Sequence, residues 1–414
     1  MKLAAVPGLR LGFLNTFAAL QYPNYRLWFS GQLVSLIGTW MQNTAQGYLI
    51  YELTHSPAYL GYVGFAVGLP SWLFTLYGGV IADRISRRTI MLVTQSAMMV
   101  LALLLALLVY LRLVQPWHII LLAFLLGTAN AFDAPARVSF VAELVDRKDM
   151  TNAIALNSTM FNSATVIGPA IAGMAYAVLG PAWCFAVNGL SFLAVIIALA
   201  LMRLKPMSVT HEHTSMLVEM IEGFRFAVGD KVIRTLTIGI GFLSLFGMSL
   251  MTLLPAWSSK ILGGDARTYG ILLSARGLGA LTGALMIASM GRMNVRGRLW
   301  TAGSLLMPVM MAAFALARLT PLSIFIIVLA GWAFMVQINT SNALVQTHVP
   351  DELRGRVMGI YTLVFFGGMP LGSLIAGQLA TRIGEPATLV LNGIILALFA
   401  AFVWIRLSFV RRLE

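Results

Sequence analysis

Polar residues in this 414-residue chain fall into short clusters, and long, predominantly apolar runs lie between them. Twelve such runs stand out: 27–52, 57–80, 90–112, 117–139, 152–180, 181–203, 234–258, 268–290, 299–318, 320–342, 355–382 and 386–408. They are too long for strands and lack a two-residue alternation, so each predicts a helix. A membrane crossing needs about 20 apolar residues, and each run is long enough for one. Connections are short, as at Gly180-Pro181, a turn pair between the fifth and sixth runs. The longest connection, 204–233, carries His211, Glu212, His213, Glu219, Glu222, Arg225, Asp230 and Lys231. Within it, Ser215 to Val228 predicts an amphipathic helix lying on the membrane surface, with Leu217, Met220, Ile221 and Phe224 on one face.

The pattern repeats. Gly61 and Gly68 precede Gly270 and Gly277 by 209 residues. Further on the offset is 204: Gly127 matches Gly331, Val145 matches Val349, Gly168 matches Gly372, and Asn188-Gly189 matches Asn392-Gly393. Ordered matches at a nearly constant offset predict a six-helix unit used twice in parallel order, the internal symmetry of one class of secondary transporter. The expected organisation is a first half over 1–203, a linker with a surface helix over 204–233, and a second half over 234–414.

Composition agrees. Hydrophobic residues make up 59% and charged residues 10%, with a mean hydropathy of +0.85. Soluble domains carry about 25% charged residues, so a soluble enzyme, a disordered tail and a disulfide scaffold are excluded. The net charge of +13 does not point to nucleic acid, because the 28 Lys and Arg are scattered in small groups between apolar runs. With both termini on the cytoplasmic side, 22 of them fall inside and 5 outside, which sets the orientation; Arg276 alone lies within a span. The N-terminus lacks the pattern of a cleavable signal, so the first span is expected to act as the insertion signal. Cys184, the single cysteine, has no internal disulfide partner.

Three stretches carry chemistry. Gly79-Val80-Ile81-Ala82-Asp83-Arg84-Ile85-Ser86-Arg87-Arg88 sets a carboxylate at a helix end against a cluster of guanidiniums, a network that one conformational state can make and another break. The corresponding second-half region has Arg292, Arg296 and Arg298 but no acid. In the fifth run, Gly168-Pro169-Ala170-Ile171-Ala172-Gly173 offers small residues for close packing and a proline that frees a carbonyl. The third stretch runs from Gly127 through Asp133-Ala134-Pro135-Ala136-Arg137 to Val145, and Tyr25 to Ser35 and Gly38 to Met41 accompany it.

The first stretch resembles the loop signature of the major facilitator superfamily, with Ile81 and Ser86 where Leu and Gly are usual. The second resembles the small-residue motif of drug and proton antiporters, with Ala172 in place of a glycine. The third, with the first-helix segments, resembles the subgroup of enterobactin exporters and macrolide-type efflux proteins over nearly the whole chain. The resemblance implies an all-α membrane protein of the major facilitator fold: twelve transmembrane helices in two pseudo-symmetric halves. It also implies an antiporter in the bacterial inner membrane, driven by protons. Gly79, Asp83, Arg84, Arg87 and Arg88 then form a gate motif, and Gly168, Pro169 and Gly173 a helix-packing motif.

Ionisable groups at membrane depth are functional candidates. None of the fifteen acids falls at a helix midpoint. Asp133 lies near the inner end of the fourth span, one turn before Arg137, with Pro135 between them to distort that turn. Two roles stay open for this pair: an ion pair closing the inner gate, or a proton carrier. Arg276 sits about 12 Å into the eighth span, either binding an anionic or catechol-bearing cargo or satisfied by snorkelling and backbone carbonyls. Gln32, Asn43 and Gln46 fall roughly on one face of the first span, and Gln337 and Asn339 lie in the tenth; amides there are helix glue or cavity lining. Trp40, Trp257, Phe65, Phe246, Met248 and Tyr361 offer an adaptable apolar surface for bulky cargo.

No Gly-Lys pair supports a phosphate-binding loop, and the five histidines are too few and scattered for a metal site. The chain is therefore expected to be a transporter and not an enzyme, with no cofactor. The leading expectation is a proton-coupled exporter of a small amphipathic or anionic compound, siderophore- or drug-like. A gradient-independent facilitator or importer and a non-transporting receptor or scaffold are the alternatives. The expected partners are a small-molecule cargo, protons through the resemblance, and the lipid bilayer; nucleic acid is not among them, and the chain is expected to act as a monomer.

Overall fold

A computed structural model describes residues 17–204, 216–290 and 295–413; the side chains of 75, 76, 80, 82, 83 and 216–220 lie outside that description. Among the described residues there is no strand. The long helices are α1 (Pro23–Thr54), α2 (Pro57–Arg84), α3 (Arg87–Tyr110), α4 (Pro116–Leu144), α5 (Met150–Leu179) and α6 (Pro181–Leu201). A short helix follows, α7 (Met216–Gly229). Then come α8 (Lys231–Ile261), α9 (Ala266–Ser289), α10 (Arg296–Leu316), α11 (Thr320–His348), α12 (Asp351–Ile383) and α13 (Glu385–Arg406). Ten of them, α3 to α6 and α8 to α13, are long and apolar enough to cross a membrane. The 32-residue α1 and 28-residue α2 run through the same bundle.

Helix starts follow from proline. Pro23, Pro57, Pro116 and Pro181 open α1, α2, α4 and α6, where the missing N–H costs nothing. Gly180 and Gly384, 204 residues apart, occupy matching turns with φ of 87° and 83°, a conformation that favours glycine. The helices overrun the apolar runs at the arginine-rich end: α4 continues to Leu144 and α11 to His348. Backbone hydrogen bonding carries a helix past the point where its surface turns polar. The expected single run over 234–258 is instead an interrupted helix. Lys231–Phe242 passes into a π-turn at Leu243–Gly247, and a second π-turn spans Trp257–Ile261. Pro255 lacks the N–H that would bond Met251, so the ladder is broken between the two turns.

Helices α1 to α6 pack on one another, as do α8 to α13, and the two groups meet mainly where α2 lies on α12 and α5 on α9. Glycine makes both crossings possible. A β-carbon on Gly61 would stand 2.8 Å from the Ser373 carbonyl, and one on Gly377 would stand 2.9 Å from the Gly61 α-carbon. On the other side, a β-carbon on Gly270 would meet the Pro169 carbonyl at 2.4 Å, and one on Gly173 the Ala266 carbonyl at 2.7 Å. Ser274 Oγ also donates to the Val166 carbonyl across this crossing (2.6 Å), and Gln378 Nε2 to the Tyr62 hydroxyl across the other (2.8 Å). Tyr48 of α1 stacks on Tyr269 of α9 at 6.2 Å. These contacts all lie toward the arginine-poor ends of their helices.

Proline-freed carbonyls are placed against glycines. Pro135 leaves the Ala131 carbonyl without its helical donor, and that oxygen lies 2.6 Å from where a β-carbon on Gly78 of α2 would sit. Pro169 does the same for Thr165, whose oxygen occupies the β-carbon space of Gly277 at 2.7 Å.

At the arginine-rich end, α7 docks on the start of α12: Glu222 pairs with Arg356, and Gly223 lies against the Arg356 carbonyl. Ile221 and Phe224 are both more than half exposed. The Leu217 and Met220 side chains and residues His211, Glu212 and His213 lie outside the described residues.

Candidate functional site

A cavity of about 240 Å³ opens among α1, α3, α4 and α6. Helical spacing builds it. On α1, Gln32, Ser35, Leu36, Thr39 and Asn43 recur every three or four residues and face one direction. On α4, Leu126, Asn130, Asp133 and Arg137 do the same. Gln95 and Met98 come from α3, Asn188 and Phe192 from α6, and Phe161 from α5. Gly127 lets α4 approach α2, its absent β-carbon space filled by the Val67 carbonyl at 2.3 Å. Gly38 gives the same room to Asn188 and Ser191.

Asp133 is the centre of the site and only 1% exposed. Its Oδ1 accepts hydrogen bonds from Thr94 Oγ1 (2.8 Å) and Gln95 Nε2 (3.0 Å). Its Oδ2 lies 3.7 Å from Arg137 Nε, an ion pair beyond hydrogen-bond range. A buried carboxylate needs such compensation, because burial without it costs several kcal/mol, roughly. The α4 helix continues through Pro135, so the turn between Asp133 and Arg137 is intact. Asn188 Nδ2 donates to Gln42 Oε1 at 2.6 Å, whereas Gln32 Oε1 and Gln95 Oε1 are buried with no partner among the described residues.

The predicted residues divide. Gln32, Asn43, Asp133 and Arg137 line the cavity, and Trp40 forms part of its wall. Gln46 and Gln337 are buried outside it, and Asn339 is half-buried on α11. Arg276 is elsewhere. It sits over the Phe334 ring at 5.6 Å, in a crevice of about 10 Å³ with Met251 and Met307. Among the described residues it has no ion pair or hydrogen bond. Trp257 and Tyr361 belong to the core of the second group of helices. Thr94 and Gln95 escape a sequence reading, their only signal a hydroxyl or amide in an apolar run, while Asn130 and Asn188 enter it only through the third stretch and the repeat.

The gate stretch lies at the arginine-rich end. Arg87 pairs with Glu143 of α4 at 2.6 Å, and Arg88 donates to the Ala200 carbonyl at the end of α6 (3.1 Å). Arg84 is exposed at the end of α2, and a β-carbon on Gly79 would meet nothing within 4 Å. The Asp83 side chain and Arg292 lie outside the described residues. The sequence reading expects Asp83 as the acid of this stretch; the acid that pairs with Arg87 among the described residues is Glu143, distant in sequence. Gly168 and Gly173 each face another helix: Gly168 is pressed on Trp40, and Gly173 on Ala266 and Gly270. No group of histidine, cysteine and acidic residues suited to a metal occurs among the described residues.

Comparison with known proteins places this arrangement. The family model described as transmembrane secretion effector matches residues 14–413. The staphyloferrin A transporter of Staphylococcus aureus is 24% identical over 89% of this chain and 92% of its own length. The enterobactin exporter EntS of Shigella boydii is 26% identical over 96% of this chain and 95% of its own. Among solved structures, a bacterial homolog of the human lysosomal transporter Spinster, inward-facing and unoccupied, superimposes with a TM-score of 0.71. It is 15% identical and covers 94% of this chain and 97% of that one. A nucleoside transporter gives a TM-score of 0.68 at 14% identity, covering 92% and 98%.

Proposed function

This chain belongs to the transmembrane secretion effector family of the major facilitator superfamily, and from that premise we propose that it is a proton-coupled exporter of a small amphipathic or anionic compound, siderophore-like in class. The chain is a membrane transporter, not an enzyme. One observation carries the proposal: a fully buried carboxylate, Asp133, lies in the wall of a cavity inside a membrane bundle, one oxygen held by Thr94 and Gln95 and the other beside Arg137. An acid in that position can alternate between a charged form paired with Arg137 and a protonated form. Cargo and proton then bias two conformations differently, which is what coupling requires.

The proposed architecture is the major facilitator fold, with twelve spans and halves at 1–203 and 234–414 joined by 204–233. The excess of Lys and Arg at one end supports a cytoplasmic placement of that end and of both termini. The inter-group contacts described above gather at the opposite end, which supports a state open to the cytoplasm, the side from which an exporter loads. Arg87–Glu143 and the Asp83 region act as a gate that rearranges when the halves rock. The relatives that transport staphyloferrin A and enterobactin support a siderophore-like cargo. Arg276, which has no counter-ion among the described residues, is positioned to meet an anionic part of it.

The test is uptake into inside-out membrane vesicles containing the protein, with siderophores and hydrophobic cations as cargo. Accumulation that collapses when the pH gradient is dissipated supports the proposal. Uptake indifferent to the gradient overturns proton coupling and identifies a facilitator.

A further inference from the structure

Where α1, α5 and α9 meet, at the arginine-poor end, three tyrosines and one carboxylate form a chain of contacts. Tyr48 lies on α1, Tyr176 on α5 and Tyr269 on α9. The Tyr48 ring stacks on Tyr269 at 6.2 Å with the planes 24° apart, and it meets Tyr176 edge to face at 5.1 Å. The Tyr176 hydroxyl donates to Glu52 Oε2, and Glu52 stands one turn beyond Tyr48 on the same face of α1. Tyr176 and Tyr269 are buried, Tyr48 is half-buried and Glu52 is exposed. Gly47 makes room for the approach: a β-carbon there would stand 3.1 Å from the Tyr269 hydroxyl.

These contacts divide by the helices that carry them. Glu52, Tyr48 and Tyr176 all belong to α1 and α5, so their mutual contacts survive when the two groups of helices part. The Tyr48–Tyr269 stack joins α1 to α9 and exists only while the groups are together. Tyr48 packs both against the buried core of α8 to α13 and against a core drawn mainly from α1 to α6. The glycine crossings nearby, Gly173 on Gly270 and Gly61 on Gly377, set how near the helices come but offer no side chain that can turn away. The tyrosine stack does, and its geometry depends on where the Tyr48 ring is held. Tyr176 holds that ring from the side. Tyr176 is in turn fixed at its far end, because a buried tyrosine needs a partner for its hydroxyl and the Glu52 carboxylate is a strong one.

We propose that Tyr48 is the side-chain latch of the arginine-poor closure, and that Glu52 and Tyr176 are positioning residues that hold its ring against Tyr269. The inference rests on the reading of the chain as an alternating transporter and adds which side chains decide how often its closed face opens. Loss of one aromatic pair changes a two-state ratio by about two- to tenfold.

The test is the labelling rate of a cysteine behind the latch. Asn43→Cys, in the cavity wall five residues before Tyr48, is placed in the full chain together with Cys184→Ala. A membrane-impermeant maleimide is applied to intact cells and to inside-out vesicles, and the face from which the parent labels slowly is the closed face. Tyr48→Leu and Tyr269→Leu are expected to speed labelling from that face about two- to tenfold. Glu52→Ala and Tyr176→Phe are expected to speed it by a smaller factor, equal for the two and no larger when they are combined. In a Tyr48→Leu chain neither adds anything, because both act through that ring, whereas a merely structural role would add its effect there too. Tyr176→Phe removes only a hydroxyl whose exposed partner returns to water, so it keeps the fold. For every variant the fold is checked in a chain that retains Cys184 alone, whose buried thiol is expected to stay unlabelled.

If Tyr48→Leu leaves the slow face unchanged, the latch is overturned. If Tyr176→Phe has no effect in the parent, or the same effect in the Tyr48→Leu chain as in the parent, the positioning role is overturned. Equal, rapid labelling of the parent from both faces overturns the alternating reading and the latch with it. No gradient or cargo enters this measurement. Vesicle uptake that ignores the gradient removes proton coupling and leaves the latch standing, while unchanged labelling removes the latch and leaves the exporter reading standing.

Discussion

Arg137 Nε stands 3.7 Å from Asp133 Oδ2, one helical turn away and beyond hydrogen-bond range, while Asp133 Oδ1 is held by Thr94 and Gln95. One carboxylate oxygen is anchored and the other is available. Asp133→Asn keeps an acceptor for Thr94 and Gln95 but loses the charge. Gradient-driven accumulation in vesicles is expected to vanish while cargo exchange without a gradient persists. Unchanged accumulation by this variant would show that coupling lies elsewhere.

The Pro169 carbonyl fills the space that a β-carbon on Gly270 would need, at 2.4 Å. Both partners at this α5–α9 contact are backbone, so neither side can yield cheaply. Gly270→Ala is expected to part the helices and weaken the arginine-poor closure by about 1–3 kcal/mol. Spin labels on α5 and α9 should report a longer distance, and transport should fall. Gly359→Ala, whose added methyl meets nothing within 4 Å, is the control and should leave both unchanged.

Arg87 and Glu143 form a 2.6 Å pair with side chains 21% and 23% exposed. A charge-assisted bond of this kind is worth roughly 1.5–3 kcal/mol. Arg87→Gln and Glu143→Gln are each expected to slow transport several-fold. The exchanged pair Arg87→Glu with Glu143→Arg should recover part of the rate, because the partnership matters more than the residues. Double-mutant analysis of initial uptake rates checks this, and strictly additive losses would separate the two residues.

Asp230 caps α8, its Oδ1 accepting from the Val232 and Ile233 amides at 2.8 and 2.9 Å, with His348 3.4 Å away. Burial alone would raise its carboxyl pKa, but the amide bonds and His348 outweigh this and hold it below the usual value of 3.8. A carboxylate depressed in the folded state contributes stability that is complete above its unfolded pKa and is lost as pH falls through the folded one. Asp230→Ala should cost about 1 kcal/mol at neutral pH. In thermal unfolding the gap to the parent protein should persist down to about pH 5 and close only below about 4.

Cys184 is fully buried, with Sγ directed at the Ala172 carbonyl. The native protein is expected to resist maleimide over an hour and the detergent-unfolded protein to label fully. Rapid native labelling would mean that α5 and α6 separate readily.

Much of the architecture was legible because lipid imposes a simple rule: a long apolar run becomes a helix. The sequence alone determined the helical class, the long apolar runs that become helices, and the family. It also singled out Asp133 with Arg137, since their spacing is local. It did not determine which amides share a cavity with them. Gln32 and Asn43 line it, while Gln46, Gln337 and Asn339 do not. That depends on helix rotation and on how closely neighbours approach, which contacts such as Gly127 on Val67 and Gly38 on Ser191 decide. The partners of Asp133 and Arg87 were hidden for the same reason. Gln95 is 38 residues from Asp133, and Glu143 is 56 from Arg87. Only packing the helices into one bundle brings them within hydrogen-bond distance.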